Sequence, residues 1–213
     1  MDKIKLLFMI VCFLQVVYPQ QKYGSELLLN IAVPAGSQAK YYNTGLGVTG
    51  GFYYDIENNI RLGLSLGYIR IGANSEEIRN YYKSLVSEGD LSMTGSIRAL
   101  PVNITFRLIS PDGKLRFYGL LEGGLFTYWI KASGNYINNG GNVTIDKSEF
   151  RSEPGFALGV GTLFKLEETL SLDFNVKFQF VQDSEYINIG NSTISTSRLL
   201  IIGAGLNWNF DVE

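Results

Sequence analysis

Side chains able to carry chemistry are few in this chain. Its 213 residues include no histidine, and Cys12 is the single cysteine. Zinc sites built from Cys and His, Cys–His nucleophiles and Ser–His–Asp triads all need residues that the sequence lacks. Carboxylates and amines remain, and two of them, Asp173 and Lys177, stand close together in residues 170–180.

Asp173 and Lys177 share one face of a predicted strand. In residues 170–180 every even position is large and apolar, and every odd position is polar or charged. This period of two predicts a β-strand with one apolar and one polar face. The pair is either an acid/base couple or a salt bridge to Glu122 or Arg107, and we favour the salt bridge. We expect no enzyme, and no catalytic, cofactor-binding or metal-binding residues, because no histidine is present to activate a nucleophile or a water molecule.

The same alternation recurs along the chain and predicts eight strands. Pro101 lacks an N–H donor, so we expect a bulge or a local break within the fourth strand. Residues 75–86 carry a weak apolar helical face and predict one short helix. The 24 glycines, 13 tyrosines and 13 phenylalanines suit many strands with tight turns. The predicted strands are 25–33, 44–54, 60–71, 91–109, 115–132, 155–166, 170–180 and 196–210.

The predicted connections alternate between long and short. Long loops are expected at 34–42, 72–90, 133–152 and 182–195, and tight turns at 55–59, 110–114 and 167–169. An even number of antiparallel strands with long loops at one end and short turns at the other is typical of outer-membrane barrels, which have short periplasmic turns and longer extracellular loops. Both chain ends of the barrel then fall on the periplasmic side.

The polar parity of the predicted strands decides which face is inside. Arg or Lys facing lipid at mid-depth costs about 2–4 kcal/mol, whereas in a narrow lumen opposite charges can pair. Many glycines share this parity, and they suit a crowded interior better than a solvated surface. We therefore predict an all-β, eight-stranded antiparallel up-and-down transmembrane barrel. Its polar lumen network is expected to contain Glu26, Arg61, Arg107, Arg116, Glu122, Asp173 and Lys177.

The N-terminal residues 1–21 predict a cleaved signal peptide. Lys3 and Lys5 precede the apolar run 6–17, and a basic stretch followed by about 7–15 apolar residues is typical of export signals. We expect cleavage between Tyr18 and Lys22, leaving residues 22–213 as one barrel domain. Val11 stands directly before Cys12 where a lipoprotein signal needs a small residue, so lipidation is not expected.

Two segments give the chain a family resemblance. Residues 99–107, Ala-Leu-Pro-Val-Asn-Ile-Thr-Phe-Arg, resemble a mid-barrel strand of the outer membrane protein beta-barrel domain family. The chain as a whole resembles the small eight-stranded outer-membrane barrels and is similar to the transmembrane domain of outer-membrane protein A and to outer-membrane protein X. Leu206, Trp208 and Phe210 resemble the terminal assembly signal of that family, although three residues follow Phe210 where the family usually stops. The resemblance implies insertion by the barrel-assembly machinery.

The functional expectation follows from this architecture. Eight strands enclose an interior that side chains just fill, so no wide pore is expected. We expect a monomer in contact with outer-membrane lipid, with a structural, adhesive or surface-recognition role through its long loops, or a narrow porin-like conductance. Tyr81, Tyr82 and residues 133–149 are the candidates for contact with an unknown extracellular ligand. The net charge of −2 gives no electrostatic case for nucleic acid.

One alternative from a different class stays open. A soluble exported barrel, resembling lipocalins, would turn the Leu/Phe parity inward around a cavity and bind an apolar ligand there. The two architectures differ in which parity is exposed.

Overall fold

The computed structural model describes residues 22–36, 39–57, 59–83, 90–138, 141–181, 185–189, 192–195 and 198–211. The predicted signal peptide, Cys12 included, lies outside these residues. Ten strands are present in the described part of the chain. They are β1 Lys22–Pro34, β2 Gly45–Glu57, β3 Ile60–Gly72, β4 Asp90–Ile109, β5 Leu115–Asn138, β6 Gly141–Lys165, β7 Leu170–Val181, β8 Glu185–Ile189, β9 Ser192–Ser195 and β10 Arg198–Asp211.

Eight of these strands close into one barrel. Its order is β1-β10-β7-β6-β5-β4-β3-β2, and every neighbouring pair is antiparallel. The chain therefore runs up and down around the barrel and closes between β1 and β10. The remaining strands, β8 and β9, form a separate hairpin in the connection between β7 and β10. The predicted fold of eight antiparallel strands is confirmed.

Exposure follows the predicted parity. Leu29, Phe52 and Ile104 are 71%, 74% and 67% exposed, whereas Asp173 is fully buried. Apolar side chains thus surround the barrel as a girdle, and the lower dielectric of a membrane is the environment in which such a girdle is stable. The soluble alternative is wrong, because it placed the same apolar parity around an internal cavity. No helix in the described part of the chain is long and apolar enough to cross a membrane.

Pro101 interrupts the ladder between β3 and β4 without shifting its register. Pairing stops after Leu66 with Val102 and resumes at Ile69 with Ala99. A proline cannot donate the missing hydrogen bond, but both sides of the gap keep the same alignment. The expected local break is therefore present, and it is not a bulge.

The prediction of a loop at 133–152 was wrong. β5 and β6 continue through this stretch and stay paired up to Asn138 with Gly141. The sequence does not show these strands because polar residues and glycines occupy both parities, so no apolar alternation marks them. The prediction of a loop at 182–195 was wrong in part, because β8 and β9 lie within it.

The predicted helix is present as α1, Ser75–Lys83, and residues 84–86 lie outside the described part. Asn74 begins it, since its side-chain oxygen accepts a hydrogen bond from the Glu77 amide at 3.4 Å. Ile78 of α1 is buried. A short 3-10 turn, Ala39–Tyr41, lies in the connection between β1 and β2. The Asn74 amide, in the connection between β3 and β4, donates to the Tyr41 carbonyl at 2.8 Å. Residues of the two connections therefore contact each other at the long-loop end.

Candidate functional site in the barrel interior

Arg107 is the centre of the first interior cluster. Its guanidinium lies 2.7 Å from a Glu26 carboxylate oxygen and 3.2 Å from one of Asp173. The Tyr118 hydroxyl donates to the other Asp173 oxygen at 2.6 Å, and Asn175 donates to the same atom at 3.3 Å. All these side chains are buried. The fork of Arg107, on β4, therefore joins the carboxylates of β1 and β7, the two strands that flank β10 on the other side of the barrel.

Lys177 and Glu122 form the second cluster. The Lys177 ammonium donates to both Glu122 oxygens, at 3.0 and 2.8 Å, and Asn103 donates to one of them at 3.4 Å. Lys177 and Asp173 therefore do not pair as an acid/base couple. Each instead has an opposite charge across the lumen, which is the arrangement that the structural interpretation of their spacing favours.

Arg61 holds the third cluster, nearer the short turns. Its guanidinium makes two hydrogen bonds to the Asp55 carboxylate, at 2.6 and 3.0 Å, and lies 3.6 Å above the ring of Tyr53. The Tyr53 hydroxyl and Arg61 both donate to the Asn207 side-chain oxygen. Asn207 also lies 3.5 Å from Glu26, so the first and third clusters are continuous. Asp55 and Tyr53 are members of this cluster that the sequence analysis missed. Asp55 opens the predicted turn 55–59, and Tyr53 has the inward parity of the predicted strand 44–54 but was not included in the polar network.

Arg116 lies at the mouth of the barrel and not among the interior clusters. It donates to the Ser110 carbonyl at 3.2 Å and pairs with Asp112, both in the adjacent turn. It lines an open vestibule of about 730 Å³ at the short-turn end, together with Lys114 and Glu168 among others. Its parity is as expected, but its position at the end of β5 places it beyond the buried charges.

The long-loop half of the lumen is apolar. The sequence predicted a polar lumen and did not indicate this apolar half. Tyr42, from the connection between β1 and β2, enters this half and is buried there. A run such as Leu199–Leu200–Ile201–Ile202 was the available signal, because continuous apolar sequence indicates a strand buried on both faces. The members of this apolar plug are Ala32, Tyr42, Ile69, Ile71, Ile97, Ala99, Phe126, Tyr128, Ile130, Val181, Leu199 and Ile201.

The predicted assembly signal lies on the closing strand β10. Leu206 and Trp208 are half-buried, and Phe210 is exposed with the outward parity. Trp208 is paired with Ser25 and Phe210 with Tyr23, at the seam between the first and last strands. Recognition of this segment by an assembly machinery stays a prediction.

Metal binding and catalysis have little support among the described residues. There, no group of three or more Cys, His, Asp or Glu side chains is arranged to hold a metal ion. The buried carboxylates already have cationic or amide partners. The expectation of no enzyme and no cofactor stays a prediction.

Comparison with solved structures finds similar outer-membrane barrels. One is a major outer membrane protein from Thermus thermophilus, with 13% identity over 89% of this chain and 99% of that chain and a TM-score of 0.53. Others are the N-terminal β-barrel domain of Pseudomonas aeruginosa OprF (15%, 90% and 98%, TM-score 0.48) and Ail, the attachment invasion locus protein of Yersinia pestis, in complex with the heparin analogue sucrose octasulfate (14%, 90% and 98%, TM-score 0.47). No protein-family model matches the sequence, and no curated protein matches it.

At these identities the likeness concerns the fold. It confirms the predicted fold class and the resemblance to small eight-stranded outer-membrane barrels. Together with the apolar girdle, this fold supports the predicted outer-membrane location.

Proposed function

We propose that this chain is a monomeric outer-membrane protein whose sealed barrel anchors an extracellular β-sheet used for surface recognition. The observation that carries the proposal is the unequal length of the strands. β5 and β6 have 24 and 25 residues, whereas β7 has 12. Pairing of β6 with β7 begins only at Gly155, so residues 141–154 of β6 have β5 as their barrel-strand neighbour.

The extension is a three-stranded sheet and not a single hairpin. β4 stays paired with β5 up to Asp90 with Ile137, although its pairing with β3 ends at Ser96. The side chains of this sheet include the exposed Thr94 and Ser133, whose hydroxyls lie 3.1 Å apart. A polar sheet joined through continuous hydrogen bonds to a membrane anchor is a surface suited to contact with a partner outside the cell.

The interior supports a sealed barrel and not a conducting one. The apolar plug occupies the long-loop half, and buried ion pairs cross the lumen in the other half, which opens into the vestibule. An ion crossing the plug would lose its hydration without gaining polar ligands, so the free-energy barrier to passage is high. We propose an anchoring role for the barrel, with export directed by residues 1–21 and insertion by the barrel-assembly machinery.

A shortened extension tests the recognition role. Replacing residues 133–146 with Asn-Gly places a two-residue turn between Ala132 and Lys147, which are already paired. It removes the β5 partners of β4 residues 90–94, which belong to the extension, and keeps the strand pairs of the closed barrel. Cells that display the protein are assayed for adhesion to plates coated with collagen, fibronectin or mucin. We expect intact protein to raise adhesion to at least one coating above vector-only cells, and the shortened variant to return it to the vector level.

The control replaces residues 185–195, which hold β8 and β9, with a Gly-Ser linker of the same length. Each variant must also keep the gel shift on boiling that marks a folded barrel. Adhesion that the intact protein does not raise, or that the shortened variant retains in full, would contradict the recognition role of the extension.

A further inference from the structure

Three cations lie on the outward face of β3, β4 and β5, next to the girdle. Arg70, Arg98 and Lys131 are exposed. Arg70 is two residues beyond Tyr68, an outward apolar residue of β3, and Arg98 lies beside Trp129 in the ladder. The three therefore stand at the long-loop border of the apolar girdle, which is the border facing the outer leaflet.

Arg70 and Arg98 are directly opposite each other in the β3–β4 ladder. Like charges in this position repel and destabilise a strand pair. Lys131 is on the next strand, diagonal to Arg98 and opposite Ser96, so a third positive charge adds to the repulsion. A cation at a membrane border is ordinary when it stands alone, because it extends to the interface. Three cations on adjacent strands need a nearby anion to offset their mutual repulsion.

The described residues give these cations no ion pair, although Asp146 of β6 lies diagonal to Lys131 on the outward face. None of the three cations has an ion pair within 4.0 Å to a described carboxylate. The opposite border of the girdle differs: Lys114 and Lys165 share the vestibule there with Asp112, Glu167 and Glu168. Among the described residues, Arg70 and Arg98 thus have no carboxylate at a facing or diagonal position of their ladders, and Lys131 has one, Asp146.

We propose that Arg70, Arg98 and Lys131 bind the phosphorylated headgroup of an outer-leaflet lipid. Planar guanidinium groups match phosphate oxygens through paired hydrogen bonds, and two of them on neighbouring strands can hold one headgroup. The girdle below the cations, beginning with Tyr68 and Leu66, receives the acyl chains of the same molecule. Binding the anion removes the repulsion between the two arginines and so stabilises this part of the wall.

The test compares two lipids on the folded full chain in detergent. The probes are an acylated glucosamine disaccharide carrying phosphate groups and the same lipid after enzymatic removal of those phosphates. Binding is measured by native mass spectrometry. We expect intact protein to prefer the phosphorylated lipid. The variant R70Q/R98Q/K131Q should lose about fivefold of that preference for each cation removed, or roughly a hundredfold in total.

The matched control is K114Q/K165Q, which removes lysines at the opposite border. It should keep the preference, and all variants should keep their shift on boiling, because the changed side chains are exposed. Equal affinity of the intact protein for both lipids would overturn the proposal, as would an equal loss of preference in both variants. Competition by millimolar inorganic phosphate as effective as that by the lipid would also overturn it, since the site would then bind free phosphate.

Discussion

Removing the positive charge of Arg107 should strongly destabilise the barrel. Arg107→Met keeps most of the side-chain volume but leaves Glu26 and Asp173 without their cation. Glu26 is 7% exposed and Asp173 is fully buried, so bulk water does not replace the lost partner. Breaking a buried ion pair from one side costs about 3–5 kcal/mol, and here two carboxylates lose the same cation. We expect a loss at or above the upper end of that range.

The measurement is equilibrium unfolding by urea of the protein folded in lipid vesicles. Trp129 and Trp208 report the transition by fluorescence, since both leave the girdle on unfolding. Arg107→Lys is the conservative control: it keeps the charge but cannot contact both carboxylates through a planar fork, so we expect an intermediate loss. Each variant is scored by its change in the free energy of unfolding.

A triple variant separates the orphaned charges from simple loss of packing. Adding Glu26→Gln and Asp173→Asn to Arg107→Met removes all three charges and keeps similar volumes. Neutral replacement of a buried ionic group is often close to neutral in stability, so the triple variant should recover most of the loss. A single variant within about 1 kcal/mol of the intact protein, where surface pairs lie, would refute the reasoning. A triple variant as unstable as the single one would also refute it.

The other predictions concern sealing, packing and the second cluster. Purified protein in a planar lipid bilayer should show no stable conductance steps, and regular steps would contradict the sealing role of the apolar plug. Gly124→Ala should destabilise the barrel by about 1–3 kcal/mol in the urea assay, because its Cβ would collide with the Val102 carbonyl, whereas Gly123→Ala meets no atom within 4 Å and should be nearly neutral. Equal effects of the two alanines would contradict the assignment of the faces. Lys177→Met should cost about 3–5 kcal/mol by orphaning Glu122, and adding Glu122→Gln should recover most of it.

The sequence predicted the barrel well because a strand in a membrane has a lipid face and a lumen face. Residues 173–177 show this directly: Asp173, Asn175 and Lys177 are polar at every second position, and the girdle residues Phe174 and Val176 stand between them. Pro101 marked the break in the ladder for an equally local reason. Patterns with a period of two are therefore readable wherever the two faces differ.

The same rule explains the two failures. In residues 133–149 polar residues and glycines occupy both parities, so the sequence carries no apolar alternation and predicts a loop. On the strands that line the apolar plug, the lipid face and the lumen face are both apolar. The sequence there does not show that Ile69 and Ile201 face inward. The sequence predicted Arg107 and Glu122 as the salt-bridge partners of residues 173 and 177, but not the contact of Arg107 with Glu26, because that distance depends on the stagger of strands around the closed barrel.

The two halves of the interior have different physical roles. Ion pairs such as Arg107 with Glu26 need defined distances, so they fix the strands of the short-turn half relative to one another across the lumen. The apolar plug needs only volume, and it occupies the half that lies beneath the sheet proposed to be extracellular. Because β4, β5 and β6 pass without interruption from the barrel wall into that sheet, the direction in which the sheet projects is set by the wall and not by a linker. A recognition surface held in this way binds without first losing the freedom of a flexible loop, which is the physical advantage of building it from extended strands.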